Sequence, residues 1–310
     1  MKRICTKCIV AALILSMGIT AGIPAYAAQP QTTAATEQAA QLSLEETASQ
    51  YFENYPSDKH VVSAEQLLNR VEEGESFCLL DIRSAEDYAK GHIQGAVNIP
   101  YGADVADALE IIPNDQPVLV YCYSGQTASQ TVALLRLAGK DAYNVSGGFN
   151  KGISKQEKAK QLTVKTETAL PEGNYPVNPQ LKQAIREYYE LAAQNGKFNM
   201  SAEQVKKEAS EGKIYLVDIR SENDYLKSRI SFAKENIPFG KGMQPALANL
   251  PKDQKIVFQC YSGQTASQTV AIARMMGLDA YNLSGGMGAK GGSGWLGAGY
   301  HVVKYSTQQF

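Results

Sequence analysis

The chain is poor in histidine, tryptophan and cysteine, and it carries no excess of either charge. It has 310 residues, of which three are histidine, one tryptophan and five cysteine, with 30 basic residues against 31 acidic. That balance leaves no basic stripe to neutralise phosphates, so nucleic acid is not an expected partner. The histidines are His60, His92 and His301, and none recurs equivalently in a second copy. A cysteine protease needs a partnered histidine, so that class is excluded. Beyond residue 27 only Cys78, Cys122 and Cys260 remain, and disulfide stapling is not the expected strategy. Cys78 lies in the apolar run FCLLDI, where its counterpart in the second half is Tyr215. It reads as a small buried hydrophobe.

The first 27 residues read as a signal peptide. Lys2, Arg3 and Lys7 precede the apolar run IVAALILSMGITAGI, and Ala25-Tyr26-Ala27 offers small residues for cleavage. Cys5 and Cys8 form a C-x-x-C, but the pair precedes the apolar run and has no second pair to complete a metal site. Removing Lys2, Arg3 and Lys7 leaves 27 basic residues against 31 acidic ones. The expected product is exported, periplasmic or extracellular, with no stable membrane insertion after cleavage.

What the chain does have is a repeat. CYSGQTASQTVA occurs at 122–133 and again, unchanged, at 260–271. Cores tolerate apolar swaps of similar volume, and this stretch is half polar, so its repetition points to a site. The repetition extends further. SAEQ at 63–66 recurs at 201–204, DIRS at 81–84 recurs at 218–221, and NIP at 98–100 recurs at 236–238. DAYN at 141–144 and SGG at 146–148 return at 279–282 and 284–286. A unit of about a hundred residues with its own apolar segments is a duplicated domain rather than a solenoid repeat. The organisation expected is a signal peptide over 1–27, a flexible leader over 28–43, a first domain over 44–150, a linker over 151–178 and a second domain over 179–310. The linker carries Lys151, Lys155, Lys158, Lys160 and Lys165 and reads as a solvated connector.

Within each unit, strands alternate with helices. Ser63 with Gln66, and Ser201 with Gln204, are capping boxes. FCLLDI, IYLVDI, AVNIP, PVLVYC and KIVFQC are apolar strands, and the segments after the cysteines are amphipathic helices ending at Gly139 and Gly277. The fold class predicted is α/β: two domains, each a mainly parallel sheet with helices on both faces. Sites in such sheets lie beyond the carboxyl ends of the strands, where Cys122 and Cys260 fall. A thiol on a loop that opens a helix meets backbone N–H groups and the positive end of the helix dipole, and both stabilise a thiolate. Asn144 and Asn282 begin N-x-S triplets and read as turn residues. Gly292, Gly294 and Gly297 match G-x-G-x-x-G, but no βαβ unit follows them, so a dinucleotide site is not expected.

The order LLDIRSAEDYAKGHIQGAVNIPYG, VLVYCYSGQTAS, AYNVSGGF resembles a rhodanese domain, over 60–150 and again over about 198–300. The resemblance implies a sulfurtransferase that carries sulfane sulfur as a cysteine persulfide, with no metal or organic cofactor. Cys122 and Cys260 match the sulfur-accepting cysteine. The loops Tyr123, Ser124, Gly125, Gln126, Thr127, Ala128 and Tyr261, Ser262, Gly263, Gln264, Thr265, Ala266 would hold the donor. Arg83 and Arg220 match the arginine that ends the second core strand, which helps hold an anionic donor or a local carboxylate such as Asp87 or Asp224. The partners implied are a small sulfane-sulfur donor and a thiol acceptor. Three departures bear on this. The second unit has SRISFAKENIP where the first has GHIQGAVNIP, with one residue inserted before Asn236. Family loops often carry an arginine five places after the cysteine, where this chain has Thr127 and Thr265. Neither loop has a lysine or arginine, which favours a persulfide or polysulfide donor over the doubly charged thiosulfate. A cysteine phosphatase would place an arginine at Ala128 and Ala266, so that activity is excluded. The alternative reading is a non-catalytic module that binds an anion or a protein through the same cradle.

Overall fold

The computed structural model describes residues 43–304. The expected signal peptide, with Cys5 and Cys8, and residues 28–42 of the leader lie outside these. Among the described residues no helix is long and apolar enough to cross a membrane.

Each half is built on five parallel strands. In the first the order is Val61–Val62, Ala142–Val145, Val118–Tyr121, Cys78–Asp81, Ala96–Asn98. In the second it is Asn199–Met200, Ala280–Leu283, Lys255–Gln259, Ile214–Asp218, Ala233–Asn236. The central strands are apolar on successive residues because both faces are covered. Leu80 and Val120 point into one apolar cluster while Leu79 and Leu119 point into another on the opposite face. Cys78 pairs in register with Val118, and Tyr215 pairs with Ile256. Val118 and Ile256 both pair with the alanine that opens the next strand, so Cys78 and Tyr215 are structural equivalents. The capping boxes form as the sequence predicts: Ser63 and Ser201 cap the helices Ala64–Glu73 and Ala202–Ser210, with Gln66 and Gln204 reaching back.

The extra residue before Asn236 is absorbed locally. Ala233 pairs with Leu216 and Glu235 with Val217, so Lys234 is left as a bulge while Asn236 stays opposite Asp218. A bulge takes up one residue without shifting the faces of the rest of the strand. Asn98 and Asn236 consequently make the same bonds, to the carbonyls of Asp81 and Arg83 and of Asp218 and Arg220.

The expected linker begins too early. Residues 148–164 fold back onto the first half, where Thr163–Val164 pairs antiparallel with His92–Ile93. Their side chains Ile153 and Ala159 join the first half's own cluster. Both Lys158, paired with Glu72, and Lys160, paired with Glu157, sit on folded segments. His92 is a packing residue. It is buried, stacked on Tyr88 at 3.6 Å, with its ring nitrogens bonded to the carbonyls of Tyr88 and Thr166.

The segment that leads into each half lies against the other half. From the first, Tyr51 and Tyr55 donate to Gln268 Oε1, and Gln268 Nε2 donates to the Lys59 carbonyl at 3.0 Å. From the second, helix Pro179–Gln194 sets Tyr188 on Gln130 and Tyr189 on Thr131, both at 3.0 Å, and Gln130 Nε2 donates to the Lys197 carbonyl at 2.9 Å. The helices Gln126–Leu137 and Gln264–Met275 pack on one another, and one apolar cluster runs from Val120 and Leu134 through to Ile272 and Phe258. The unchanged repeat therefore has a packing reason besides a site. Ser129, Gln130 and Thr131 and their counterparts Ser267, Gln268 and Thr269 are wholly buried along this pseudo-symmetric seam.

Candidate functional site

Each cysteine directly follows a central strand and sits beneath the first turn of the following helix. Helix Gln126–Leu137 opens at Gly125, with φ of 83°, and helix Gln264–Met275 opens at Gly263, with φ of 85°. A glycine has no side chain to cap the orphan N–H groups of a first turn. In the first half the thiol takes that place: Cys122 Sγ accepts from Gly125 N–H at 3.1 Å and Ala128 N–H at 3.4 Å. In the second, Cys260 Sγ accepts from Gly263 N–H at 3.1 Å. Both cysteines are 1% exposed. The sulfur thus lies among backbone donors at a helix N-terminus, an environment that suits negative charge.

Two anchors hold the loops. Tyr123 Oη donates to Asp87 and Tyr261 Oη to Asp224, each at 2.6 Å. The tyrosine bond and then the Lys90 bond hold the Asp87 carboxyl down at about 2, and the bonds from Tyr261 and Ser221 hold Asp224 below the usual range. From below, the glycine pair after the last strand abuts the loop. Phe149 N–H donates to the Cys122 carbonyl and Met287 N–H to the Cys260 carbonyl, both at 2.7 Å. Gly148 and Gly286 have φ of 55° and 59°, and a Cβ on either would strike that carbonyl oxygen.

Arg83 and Arg220 do not engage Asp87 and Asp224. Arg83 binds Asp81 in a fork, with its Nη2 at 2.6 Å from Asp81 Oδ2 and 2.8 Å from the Gly91 carbonyl. Arg220 repeats this with Asp218 and the Ser228 carbonyl at 2.7 and 2.6 Å. Both guanidinium groups are buried, and Arg83 also lies 3.9 Å over the Phe149 ring. Of the two roles the sequence left open, these arginines take the local carboxylate, and the carboxylate is the aspartate two residues earlier. Fork geometry and burial make this pair a structural clasp on the strand end.

The two loops open onto one cleft of about 760 Å³. Ser124 and Gln126 line it from one side, Tyr261, Ser262 and Gln264 from the other. Tyr123 faces a separate depression with Arg83 and Asp87. Gly125 and Gly263 are buried, as are Ala128 and Ala266, while Thr127 and Thr265 are half-buried on the helices' first turns. Sequence reasoning missed several lining residues. Lys151, assigned to a solvated connector, is in the cleft, with Nζ 3.0 Å from Ser293 Oγ of the other half. Gly292 belongs to the glycine run in which no dinucleotide site is expected, and it too lines the cleft. Asn144 and Asn282 are not turn residues: both are buried in strands, with their amides directed at Gln264 and Gln126. Cys78 is remote from this chemistry, and burial alone pushes its thiol up to about 12.

The model of the rhodanese-like domain matches residues 63–155 and 201–289. Among curated proteins, the putative sulfur carrier protein YrkF of Bacillus subtilis is 33% identical over 97 residues, 31% of this chain and 52% of that protein. Thiosulfate sulfurtransferase GlpE of Pseudomonas fluorescens is 38% identical over 72 residues, 23% of this chain and 65% of that one. The chain thus spans about half of the first relative's length and just under two thirds of the second's. Among solved structures, a rhodanese-like domain protein from Staphylococcus aureus is 27% identical, with a TM-score of 0.28, over 29% of this chain and 88% of that one. SseA from Escherichia coli is 18% identical, with a TM-score of 0.35, over 73% and 98%.

Proposed function

This chain belongs to the rhodanese-like domain family, and we propose on that premise that it is a sulfurtransferase whose two loop cysteines each carry one sulfane sulfur as a persulfide. The observation that carries the reading is the position of Cys122 Sγ, bonded by the N–H groups of Gly125 and Ala128 at a helix N-terminus, with Cys260 in the matching place. The Cys122 thiolate attacks the outer sulfur of a donor R–S–SH. The donor's S–S bond breaks, R–S⁻ leaves with the electron pair and takes up a proton, and the outer sulfur stays bonded to Cys122 Sγ. A thiol acceptor then removes that sulfur by the same displacement, which returns the thiolate. Backbone dipoles aimed at the sulfur favour the anionic forms at both ends of this exchange.

The donor favoured is an organic persulfide or polysulfide. The loops contribute no cation, Arg83 and Arg220 are bound to Asp81 and Asp218, and Lys151 is the one lysine or arginine among the residues lining the cleft. A doubly charged thiosulfate would meet one ammonium, already bonded to Ser293, and a few backbone dipoles. Export, with loss of residues 1–27, is part of the proposal and rests on the sequence.

The test is peptide mass spectrometry after incubation with an organic persulfide. Both cysteine peptides should gain the mass of one sulfur atom, reversible by a thiol. Cys122→Ser and Cys260→Ser should each remove loading at their own site, and together all turnover. A double variant that keeps wild-type turnover would refute the assignment. Absence of loading in wild type, with an anion still bound, would make the loops binding cradles only.

A further inference from the structure

Each loop sends one side chain out of its own half. Gln126 Oε1 accepts from Asn282 Nδ2 at 2.9 Å and from the Gly285 N–H at 3.0 Å. Gln264 Oε1 accepts from Asn144 Nδ2 at 2.9 Å and from the Gly147 N–H at 3.2 Å. The two glutamines cross at close quarters: a Cβ on Gly125 would strike Gln264 Oε1, and one on Gly263 would strike Gln126 Oε1. Within its own loop each glutamine makes only a 3.2 Å bond, to Ser124 or Ser262.

The targets are the supports of the opposite thiol. Gly285 leads into Gly286, which lies directly under the Cys260 carbonyl and the amides of Ser262 and Gly263. Met287 N–H holds the Cys260 carbonyl at 2.7 Å and Gly288 N–H holds the Tyr261 carbonyl at 2.9 Å. Gly263 N–H is the donor to Cys260 Sγ. A continuous path of short backbone contacts therefore joins Gln126 to Cys260. Gly147, Gly148, Phe149 and Asn150 make the mirror path from Gln264 to Cys122, with Phe149 N–H at 2.7 Å from the Cys122 carbonyl and Asn150 N–H at 2.9 Å from that of Tyr123.

We infer that Gln126 is a positioning residue for Cys260 and Gln264 a positioning residue for Cys122, so that each loop holds the sulfur cradle of the other half. The reason is that a backbone N–H shielded from water cannot be left without an acceptor at low cost; Gly285 is buried and Gly147 half-buried. Once the glutamine is gone, the Gly285 or Gly147 amide must turn toward another acceptor, and the turn that carries the opposite loop moves with it. The inference rests on the reading of the loops as sulfur carriers, but one arm of its test does not.

The variants are Gln126→Leu and Gln264→Leu in the full chain, with Gln126→Asn, one methylene shorter, as a milder probe if the leucine variant does not fold. Sulfur loading from an organic persulfide is followed at each cysteine separately, since the flanking residues distinguish the two peptides. Gln126→Leu should slow loading at Cys260 by about tenfold, several-fold more than at Cys122, and Gln264→Leu should reverse the pattern. Gln126→Glu should restore loading at Cys260, because a carboxylate accepts the same two donors and the Ser124 hydroxyl can donate in turn. Hydrogen exchange provides the independent arm: Gln126→Leu should accelerate exchange over 260–263 and 284–288 and leave 122–125 and 146–150 unchanged. Equal effects on both halves, an effect confined to the variant's own loop, or failure of the glutamate to rescue would each overturn the inference. If no donor loads either wild-type cysteine, the sulfur-carrier reading falls, while the exchange pattern still decides the crossed coupling.

Discussion

Replacing His60 by phenylalanine should make the seam between the halves less sensitive to acid. His60 is 7% exposed and lies in the turn that carries the leading segment back from the second half. Its ring packs 4.7 Å from that of Tyr55 and 6.0 Å from that of Tyr51. Burial, and then the charge of Arg136, push it from 6.5 down to about 4, against the opposite pull of Asp58 and Asp141. The folded state therefore excludes a proton that the unfolded chain takes up. The stabilisation from the neutral ring is complete above about pH 6.5 and is lost as the pH falls through about 4. A gap of that size is worth about 3 kcal/mol. The equivalent residue of the second half is Phe198, and the two share a left-handed backbone, φ of 52° at His60 and 54° at Phe198. Phenylalanine is thus already accepted in this turn, and His60→Phe should fold. The assay is denaturant unfolding of both proteins near pH 7.5 and near pH 4.5. Wild type should lose about 2–3 kcal/mol more than the variant between the two conditions. The carboxylates are the same in both proteins, so their contributions cancel. Parallel losses would refute the reasoning, because the neutral buried ring would then contribute nothing to the acid limb.

Three further predictions concern the other cysteine and the cleft. Cys78→Ala should leave turnover intact and cost about 1 kcal/mol of stability, because it empties a small volume between strands. Lost turnover at an unchanged melting temperature would contradict it. Lys151→Ala should lower the specificity constant for thiosulfate by about threefold, as expected for one exposed charge, and leave a neutral organic trisulfide unaffected. Thr127→Arg with Thr265→Arg should raise it by about tenfold through a charge-assisted contact. Equal use of thiosulfate and an organic persulfide by wild type, with no response to these changes, would remove the charge argument.

Much of the local structure was legible in the residues. Ser63 with Gln66, and Ser201 with Gln204, stated where two helices begin, since a capping box satisfies backbone donors within four residues of chain. The apolar runs before Cys122 and Cys260 stated that strands end there, and the amphipathic segments after them stated that helices follow. Even the insertion before Asn236 was countable, and the register of Asn236 with Asp218 follows once a bulge takes it up. These are matters of hydrogen-bond supply and side-chain period over a few residues, and a linear chain carries them openly.

What only the tertiary structure decided lies between segments far apart in sequence. Arg83 had two carboxylates within reach, and burial of the strand end selected Asp81 over Asp87. Lys151 had the composition of a connector, and the fold-back of residues 148–164 put its ammonium in the cleft. The exchange of the leading segments, Tyr55 on Gln268 and Tyr188 on Gln130, left no periodic signal, because a buried glutamine looks the same whichever half supplies its partner. The repeated CYSGQTASQTVA declared by itself that two equivalent loops exist. That they face one another, with Gln126 and Gln264 each bonded to the other half's glycine turn, depended on how two copies of one surface pack about a pseudo-twofold axis. Self-complementarity is a property of shape in three dimensions, and no local pattern of residues encodes it.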